Sequence, residues 1–120
     1  NANPMSMKAS LDVLHDGEGR RVAILGDMGE LGENEISLHE EVGEHAAKCG
    51  IDVCICVGEL SLHIAEAARK ADPGFEVHYE EDRESLLKNL GGYVRKGDTI
   101  PVKATHLMKF EEVVDALEKM

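Results

Sequence analysis

The fold of this chain is constrained above all by short apolar runs that alternate with amphipathic segments of helical period. Residues 21–25 (RVAIL) and 53–57 (VCICV) are apolar almost throughout, which is typical of strands buried on both faces of a parallel sheet. Between them, residues 37–49 carry apolar side chains at helical spacing. Parallel strands need such a crossover helix, so the pattern predicts a parallel α/β sheet.

The alternation continues along the chain and predicts five helices and four strands. Helices are predicted at residues 4–14, 37–49, 60–71, 83–94 and 109–119, and strands at residues 21–25, 53–57, 75–79 and 99–103. Right-handed crossovers then give a three-layer α/β sandwich of Rossmann-like topology, with a mostly parallel sheet and helices on both faces. Ser6 is the expected N-cap of the first helix. Pro101 lacks an N–H, which predicts an edge position for the last strand.

Length and charge narrow the class of protein. At 120 residues the chain is long enough for one packed core, so we expect a single domain. It has 24 acidic and 13 basic residues, which give a net charge of −11. Binding to nucleic acid or to an anionic membrane needs clustered Lys and Arg, and the sequence contains no such cluster. We therefore expect neither as a partner.

The three cysteines favour a reduced, cytoplasmic environment. Their odd number and their spacing do not suit a small disulfide-stabilised domain. Cys54 and Cys56 lie two apart in a predicted strand and would share one face. The interpretation as small buried apolar side chains is favoured, because a zinc site would need at least two further ligands. No apolar run approaches the ~20 residues of a membrane-spanning helix.

Ligands of open parallel sheets bind at the carboxyl ends of the strands. The loops predicted there are residues 1–6, 26–35, 58–60 and 104–109. None contains a phosphate-binding or dinucleotide-binding glycine motif. Asp27 and Glu30 lie in the second loop, where they would contact a ribose hydroxyl, a magnesium-bound water or an ammonium group, or would cap the next helix. Their spacing favours capping.

The remaining polar residues predict neither a metal site nor a catalytic residue. His39 and His45 are six apart, so on one helix they point in divergent directions. Thr105 and His106 are the nearest approach to a nucleophile with a base, but nothing in the sequence identifies further partners for them. The residue pattern alone thus predicts an α/β domain with ligand loops along one edge.

Three strings carry a more specific resemblance. Residues 1–7 (NANPMSM) resemble N-A-N-P-x-S, and residues 24–32 (ILGDMGELG) resemble I-L-G-D-M-x-E-L-G. Val102 and Lys103, followed by residues 108–114 (MKFEEVV), resemble V-K-G-S-R-x-M-K-x-E-x-V-V. The patterns that these strings resemble are those of the Mur ligase family, in particular of members that add D-alanyl-D-alanine to a peptidoglycan precursor. Together, in this order, they cover nearly the whole chain.

The resemblance implies a part of a longer, three-domain enzyme. Residues 1–120 would form the C-terminal, Rossmann-like domain, and the N-terminal and central domains would lie outside this chain. The complete enzyme would use ATP and Mg²⁺ to join D-Ala-D-Ala to a UDP-N-acetylmuramoyl-tripeptide. Because the family places the phosphate loop and magnesium ligands in the central domain, we expect the chain alone to be inactive.

The same resemblance implies roles for individual residues. The residues implied for nucleotide binding are Asn1, Asn3 and Pro4. The residues implied to line the cleft or contact substrate are Asp27, Glu30, Lys103, Thr105 and His106. The residue-based alternatives are a helix-entry turn at Asn3 and Pro4, loop scaffolding at Asp27 and Glu30, and a packed side chain at His39.

One departure from the family pattern concerns the acceptor. Where the family has G-S-R, this chain has Ala104, Thr105 and His106. Thr retains a hydroxyl, but His replaces an always-charged, bidentate Arg with a weaker donor. Two other interpretations therefore stay open: another amide ligase of the Mur superfamily, and a stand-alone flavodoxin-like or receiver-like module. A receiver would need an acidic cluster and a lysine near its last strand, and only Lys103 suits that pattern.

Overall fold

The computed structural model describes residues 2–105 and 108–119, and there helices and strands alternate as predicted. The elements in chain order are α1 (Pro4–His15), β1 (Val22–Gly26), α2 (Glu35–Lys48), β2 (Val53–Val57), α3 (Ser61–Ala71), β3 (Glu76–Glu80), α4 (Arg83–Tyr93), β4 (Val102–Lys103) and α5 (Glu111–Glu118). A short 3₁₀ helix, Gly32–Asn34, leads into α2. Most boundaries lie within two residues of the predicted ones, and β4 is the exception.

The four strands form one sheet in the order β3-β2-β1-β4, and every pairing is parallel. β4 is shorter than predicted, because only Val102 and Lys103 continue its ladder with β1, preceded by an isolated bridge from Thr99 to Arg21. The Pro101 carbonyl accepts a hydrogen bond from the Ile24 N–H at 3.0 Å. The edge position predicted from Pro101 is confirmed for the described strands.

Side chains of the two central strands alternate between two cores. Leu25, Cys54 and Cys56 pack with the apolar residues of α1, α2 and α3. Ile24 and Ile55 pack with those of α4 and α5 on the opposite face. The three-layer α/β arrangement is therefore confirmed, and the two strand cysteines share a face, with their Sγ atoms 3.6 Å apart.

α1 begins with a capping box. The Asn3 Oδ1 accepts a hydrogen bond from the Ser6 N–H at 2.9 Å, and the Asn3 N–H donates to the Ser6 Oγ at 3.1 Å. Pro4 occupies the first turn, where a missing N–H costs nothing. The prediction that Ser6 is the N-cap was wrong, because Ser6 is the reciprocal partner three residues further on.

The helices α2 and α3 touch almost backbone to backbone at Gly43. A Cβ atom built on Gly43 would lie 2.2 Å from the carbonyl oxygen of Ile64 and 3.1 Å from the Cβ of Ala67. Both contacts are shorter than van der Waals separation. Only glycine therefore fits at this crossing.

At the amino edge of the sheet, a buried ion pair ties β1 to the segment before β4. The Arg20 Nη2 lies 2.9 Å from the Asp98 Oδ2, and the Asp98 side chain is only 3% exposed. The same nitrogen donates to the Tyr93 carbonyl at 2.6 Å. The hydrogen bonds from Arg20 lower the pKa of Asp98 below its ordinary value, in spite of the opposing effect of burial.

We predict opposite effects for alanine at two helical glycines. Gly43→Ala should destabilise the fold by roughly 1–3 kcal/mol, because the new methyl group overpacks the α2–α3 crossing. Gly92→Ala in α4 has no atom within 4 Å of its new Cβ and should stabilise the fold by up to about 1 kcal/mol through helix propensity. Urea unfolding of both variants measures this, and a neutral Gly43→Ala would disprove the close contact.

The Asp98 ion pair predicts a loss of stability in acid. A carboxyl with a lowered folded-state pKa stabilises the fold above its unfolded pKa of about 3.9, and this contribution is lost as the pH falls through the folded value. Asp98→Asn should therefore be less stable at pH 7 and lose less on acidification to pH 3. The control is Glu33→Gln, because Glu33 is exposed. Its free energy of unfolding in urea should depend on pH in the same way as that of the wild type.

Candidate functional site

The candidate site is the edge at which the parallel strands end. β1 continues into Asp27, β2 into Gly58 and β4 into Thr105, and parallel strands bring these ends to the same side of the sheet. α1 leads into the amino end of β1, so its first turn, with Asn3 and Pro4, also lies toward this carboxyl edge. The loops expected from the sequence to flank a ligand are thus on one side of the molecule.

The Asp27 side chain binds the N-terminus of α3. Its Oδ1 accepts hydrogen bonds from both the N–H and the Oγ of Ser61, each at 2.8 Å. The sequence had suggested capping of the next helix in the chain, which is α2. That detail was wrong, because β2 is the spatial neighbour of β1 and the helix that follows β2 begins beside Asp27.

Gly58 makes room for this carboxylate. Its φ of +116° lies in a region that side chains rarely adopt, and a Cβ there would be 2.6–2.8 Å from the Asp27 carboxylate atoms. The Gly58 carbonyl accepts a hydrogen bond from the Tyr79 hydroxyl at 3.0 Å. An internal carboxylate thus occupies the electropositive end of α3, the kind of helix end that can attract a phosphate.

The backbone of Asp27 holds the segment that follows β4. Its carbonyl accepts a hydrogen bond from the Thr105 N–H at 2.9 Å, and its N–H donates to the Met108 Sδ at 3.1 Å. The Thr105 Oγ1 would lie 3.2 Å from a Cβ on Gly29, so this hydroxyl faces the loop after β1. Asp27 and Thr105, both named from the sequence, are therefore brought together.

The other predicted site residues are more dispersed. Glu30 is exposed with a φ of +58°, and Lys103 is exposed at the end of β4. Asn3 and Pro4 form the helix-entry turn described above, which was the alternative to a ligand contact. Asn1 and His106 lie outside the described residues.

His39 is a packed side chain, as predicted. It is fully buried, its Nε2 accepts a hydrogen bond from the Met28 N–H at 3.0 Å, and its Nδ1 lies 2.6 Å from the Glu35 carbonyl oxygen. This pattern requires a neutral ring with its proton on Nδ1. The ring therefore holds the loop after β1 against the start of α2.

Sequence reasoning missed Glu80, a buried carboxylate at the end of β3. It accepts hydrogen bonds from the Ser85 and Tyr93 hydroxyls and from the Asn89 Nδ2, the last at 3.0 Å. Burial opposes ionisation, but these three donors outweigh it and lower the pKa of Glu80. Burial, with the bond to Glu80, raises the pKa of Tyr93 to about 12.

A signal for this cluster was present in the sequence. An acid directly follows the predicted strand, and the three donors recur every fourth residue along the next helix, on one face. Ser61 carried a weaker signal as a hydroxyl residue at the start of a helix. The sequence does not give the partner of Ser61, because that partner depends on strand order.

The described residues do not suit a metal ion. No three His, Cys, Asp or Glu side chains converge there in an arrangement that would hold one, and the Asp27 carboxylate is committed to α3. A helix both long and apolar enough to cross a bilayer is likewise absent from the part of the chain that the structure describes.

Residues 1–106 match the family described as Mur ligase, glutamate ligase domain. The chain belongs to the Mur ligase family. UDP-N-acetylmuramoyl-tripeptide–D-alanyl-D-alanine ligases of Bacillus subtilis and Escherichia coli are both 37% identical to it, over 98% and 99% of its length. The chain spans only about a quarter of each of these Mur ligases, 26% and 25%.

Solved structures agree with this assignment. A MurF ligase of Thermotoga maritima in complex with ADP aligns with a TM-score of 0.77 and 27% identity, over 99% of this chain and 26% of its own. A MurF of Acinetobacter baumannii aligns with a TM-score of 0.85 and 25% identity, over 100% of this chain and 27% of its own. Family membership decides against the receiver-like module.

We predict that Asp27 governs both stability and the position of Thr105. Asp27→Ala removes the cap of α3 and should cost about 1–2 kcal/mol, whereas Asp27→Asn keeps an acceptor oxygen and should cost less. Urea unfolding measures both losses, and the amide resonance of Thr105 in an NMR spectrum should move in Asp27→Ala.

The matched control is Asp52 at the opposite edge, whose carboxylate accepts a hydrogen bond from the Arg21 N–H, also at 2.8 Å. Asp52→Ala should destabilise the fold without moving the Thr105 resonance. Equal shifts in the two variants would show that Asp27 has no local hold on Thr105.

Proposed function

We propose that this chain is the C-terminal domain of a cytoplasmic, ATP-dependent ligase that adds D-alanyl-D-alanine to a UDP-N-acetylmuramoyl-tripeptide in peptidoglycan synthesis. The observation that carries this proposal is the end-to-end match to relatives of that name in Bacillus subtilis and Escherichia coli. In the proposed reaction, ATP phosphorylates the tripeptide carboxylate, and the dipeptide amine then displaces phosphate to form the amide. The substrates are thus ATP, the UDP-muramyl peptide and D-Ala-D-Ala.

In this proposal the domain closes over the reactants and does not supply the phosphoryl chemistry. The described residues hold no cluster for Mg²⁺, and the Asp27 carboxylate occupies the N-terminal end of α3. Magnesium and the triphosphate would therefore be held by the rest of the protein. Closure would exclude water from an acyl phosphate that water would otherwise hydrolyse.

Asn1, Asn3 and Pro4 would face the nucleotide. The Asn3 Oδ1 is committed to the α1 cap, which leaves the Nδ2 amide group as the side-chain donor toward a base or ribose. Asn3 is exposed and lies toward the carboxyl edge. The capping box and a nucleotide contact are thus compatible.

In the same proposal, the acceptor side would be lined by Asp27, Glu30, Lys103, Thr105 and His106. Support comes from Thr105, whose position is fixed through the Asp27 carbonyl and whose hydroxyl faces the loop after β1. The dipeptide carries a terminal carboxylate, for which a hydroxyl and a cationic side chain are suitable donors. Lys103 is an exposed cation two residues before Thr105 in the chain.

A second candidate is an amide ligase of the same family with another acceptor amine. The replacement of G-S-R by Ala104, Thr105 and His106 favours it, because an Arg that binds a carboxylate bidentately is not replaced in kind by His. The two candidates differ in the amine that supports turnover.

The test is phosphate release by the complete ligase that contains this chain. With ATP and the UDP-muramyl tripeptide present, release should require D-Ala-D-Ala and should not occur with D-Glu or L-Ala. The 120-residue chain alone should not hydrolyse ATP, since it lacks a phosphate loop. Turnover by this chain alone, or equal turnover with another amine, would contradict the proposal.

A pair of threonine variants localises the acceptor side. Thr105→Ala in the complete ligase should raise the KM for the dipeptide by roughly 3–10-fold, as expected for the loss of one hydrogen bond. Thr99→Ala removes a hydroxyl at the amino edge, where it donates to the Glu18 carbonyl at 2.7 Å, and should leave this KM unchanged.

A further inference from the structure

Arg83 reaches the segment after β4 from the side opposite Asp27. It is the first residue of α4, and its Nη1 donates to the Met108 carbonyl at 3.3 Å. Its Nε lies 3.5 Å from the Glu112 Oε2 on α5. One side chain thus connects the start of α4 to both the turn after β4 and the helix that follows it.

The base of this side chain is firmly held. α4 is capped by Asp82, whose Oδ1 accepts from the Ser85 N–H at 2.8 Å. The same helix is fixed to β3 by three side chains that donate hydrogen bonds to buried Glu80. The Cα of Arg83 therefore has a fixed position relative to the sheet, and its guanidinium acts from that position.

The contact with Met108 is transmitted to Thr105. The Met108 N–H donates to the Thr105 carbonyl at 3.1 Å, and the Met108 Sδ accepts from the Asp27 N–H at 3.1 Å. The Thr105 N–H in turn donates to the Asp27 carbonyl. Asp27 thus contacts both Thr105 and Met108, and Arg83 contacts Met108.

The Arg83 side chain is partly buried between α4 and α5. Its side chain is 24% exposed, but the Nε itself is buried, and within residues 2–105 and 108–119 it has no hydrogen-bond partner of good geometry. A buried donor without an acceptor costs free energy. A cavity of about 300 Å³, lined by Asp82, Arg83, Glu84 and Met108, lies beside it.

We propose that Arg83 is a positioning residue for the acceptor side of the ligase site. It fixes Met108, and through Met108 it sets the place of the Thr105 hydroxyl and carbonyl. The kinetic consequence of this inference rests on the proposed function. The structural part, that Arg83 positions Met108 and Thr105, rests only on contacts within this chain. Loss of the guanidinium should weaken binding of the acceptor amine and leave nucleotide binding unchanged.

The kinetic test uses Arg83→Met and Arg83→Lys in the complete ligase. Arg83→Met should raise the KM for the dipeptide roughly tenfold, with the KM for ATP and kcat within about twofold of wild type. Arg83→Lys should be intermediate, because an ammonium can donate to one carbonyl but lacks the planar fork. Glu112→Gln, which leaves the Met108 contact in place, should retain the wild-type KM.

Arg69→Met is the matched control. The Arg69 Nη2 also donates to a backbone carbonyl, that of Val77, at 3.2 Å, but from α3 to β3. It should change stability without changing the dipeptide KM. If Arg83→Met shifts every KM equally, or behaves like Arg69→Met, the proposal is wrong.

The structural half is tested on the 120-residue chain by NMR. The amide resonances of Thr105 and Met108 should move in Arg83→Met, partly return in Arg83→Lys, and stay in place in Arg69→Met. Unmoved resonances in Arg83→Met would overturn the inference whatever the ligase does. If the wild-type ligase does not use the dipeptide, the proposed function fails, and this measurement alone decides the positioning role.

Discussion

The arrangement of the carboxyl edge depends on one interaction, the Asp27 carboxylate at the start of α3. A negative charge that follows one strand is neutralised by the N–H and hydroxyl groups at the start of a helix that follows its neighbour. The same residue uses its backbone to hold Thr105. Three segments far apart in sequence are thereby fixed to each other by hydrogen bonds within the chain.

Much of the fold was predictable because local pattern determined it. The apolar runs around Ile24 and Ile55 are buried on both faces and formed strands as expected. Pro101 correctly indicated an edge. β4 was shorter than predicted: of residues 99–103, only Val102 and Lys103 form its ladder with β1, and Ile100 instead packs as a partly buried neighbour of the α4–α5 core.

The site was less predictable, because its contacts depend on which elements are neighbours in space. Asp27 was identifiable as a capping residue, but its helix was not, because the choice between α2 and α3 follows from the order of β1 and β2. Arg83 gave no sign of its partners Met108 and Glu112 for the same reason. By contrast, His39 was correctly expected to be a packed side chain, and it is fully buried.

The close crossing at Gly43 has a mechanical consequence. With the Ile64 carbonyl directly against Gly43, α2 and α3 cannot come closer at this crossing, and closely packed elements resist relative movement. The loops that lead into α2 and α3 start at the same edge of the sheet, so they would move together as one rigid unit. For the closure proposed above, we therefore expect the hinge to lie outside this pair of helices and the loops at the carboxyl edge to keep their arrangement.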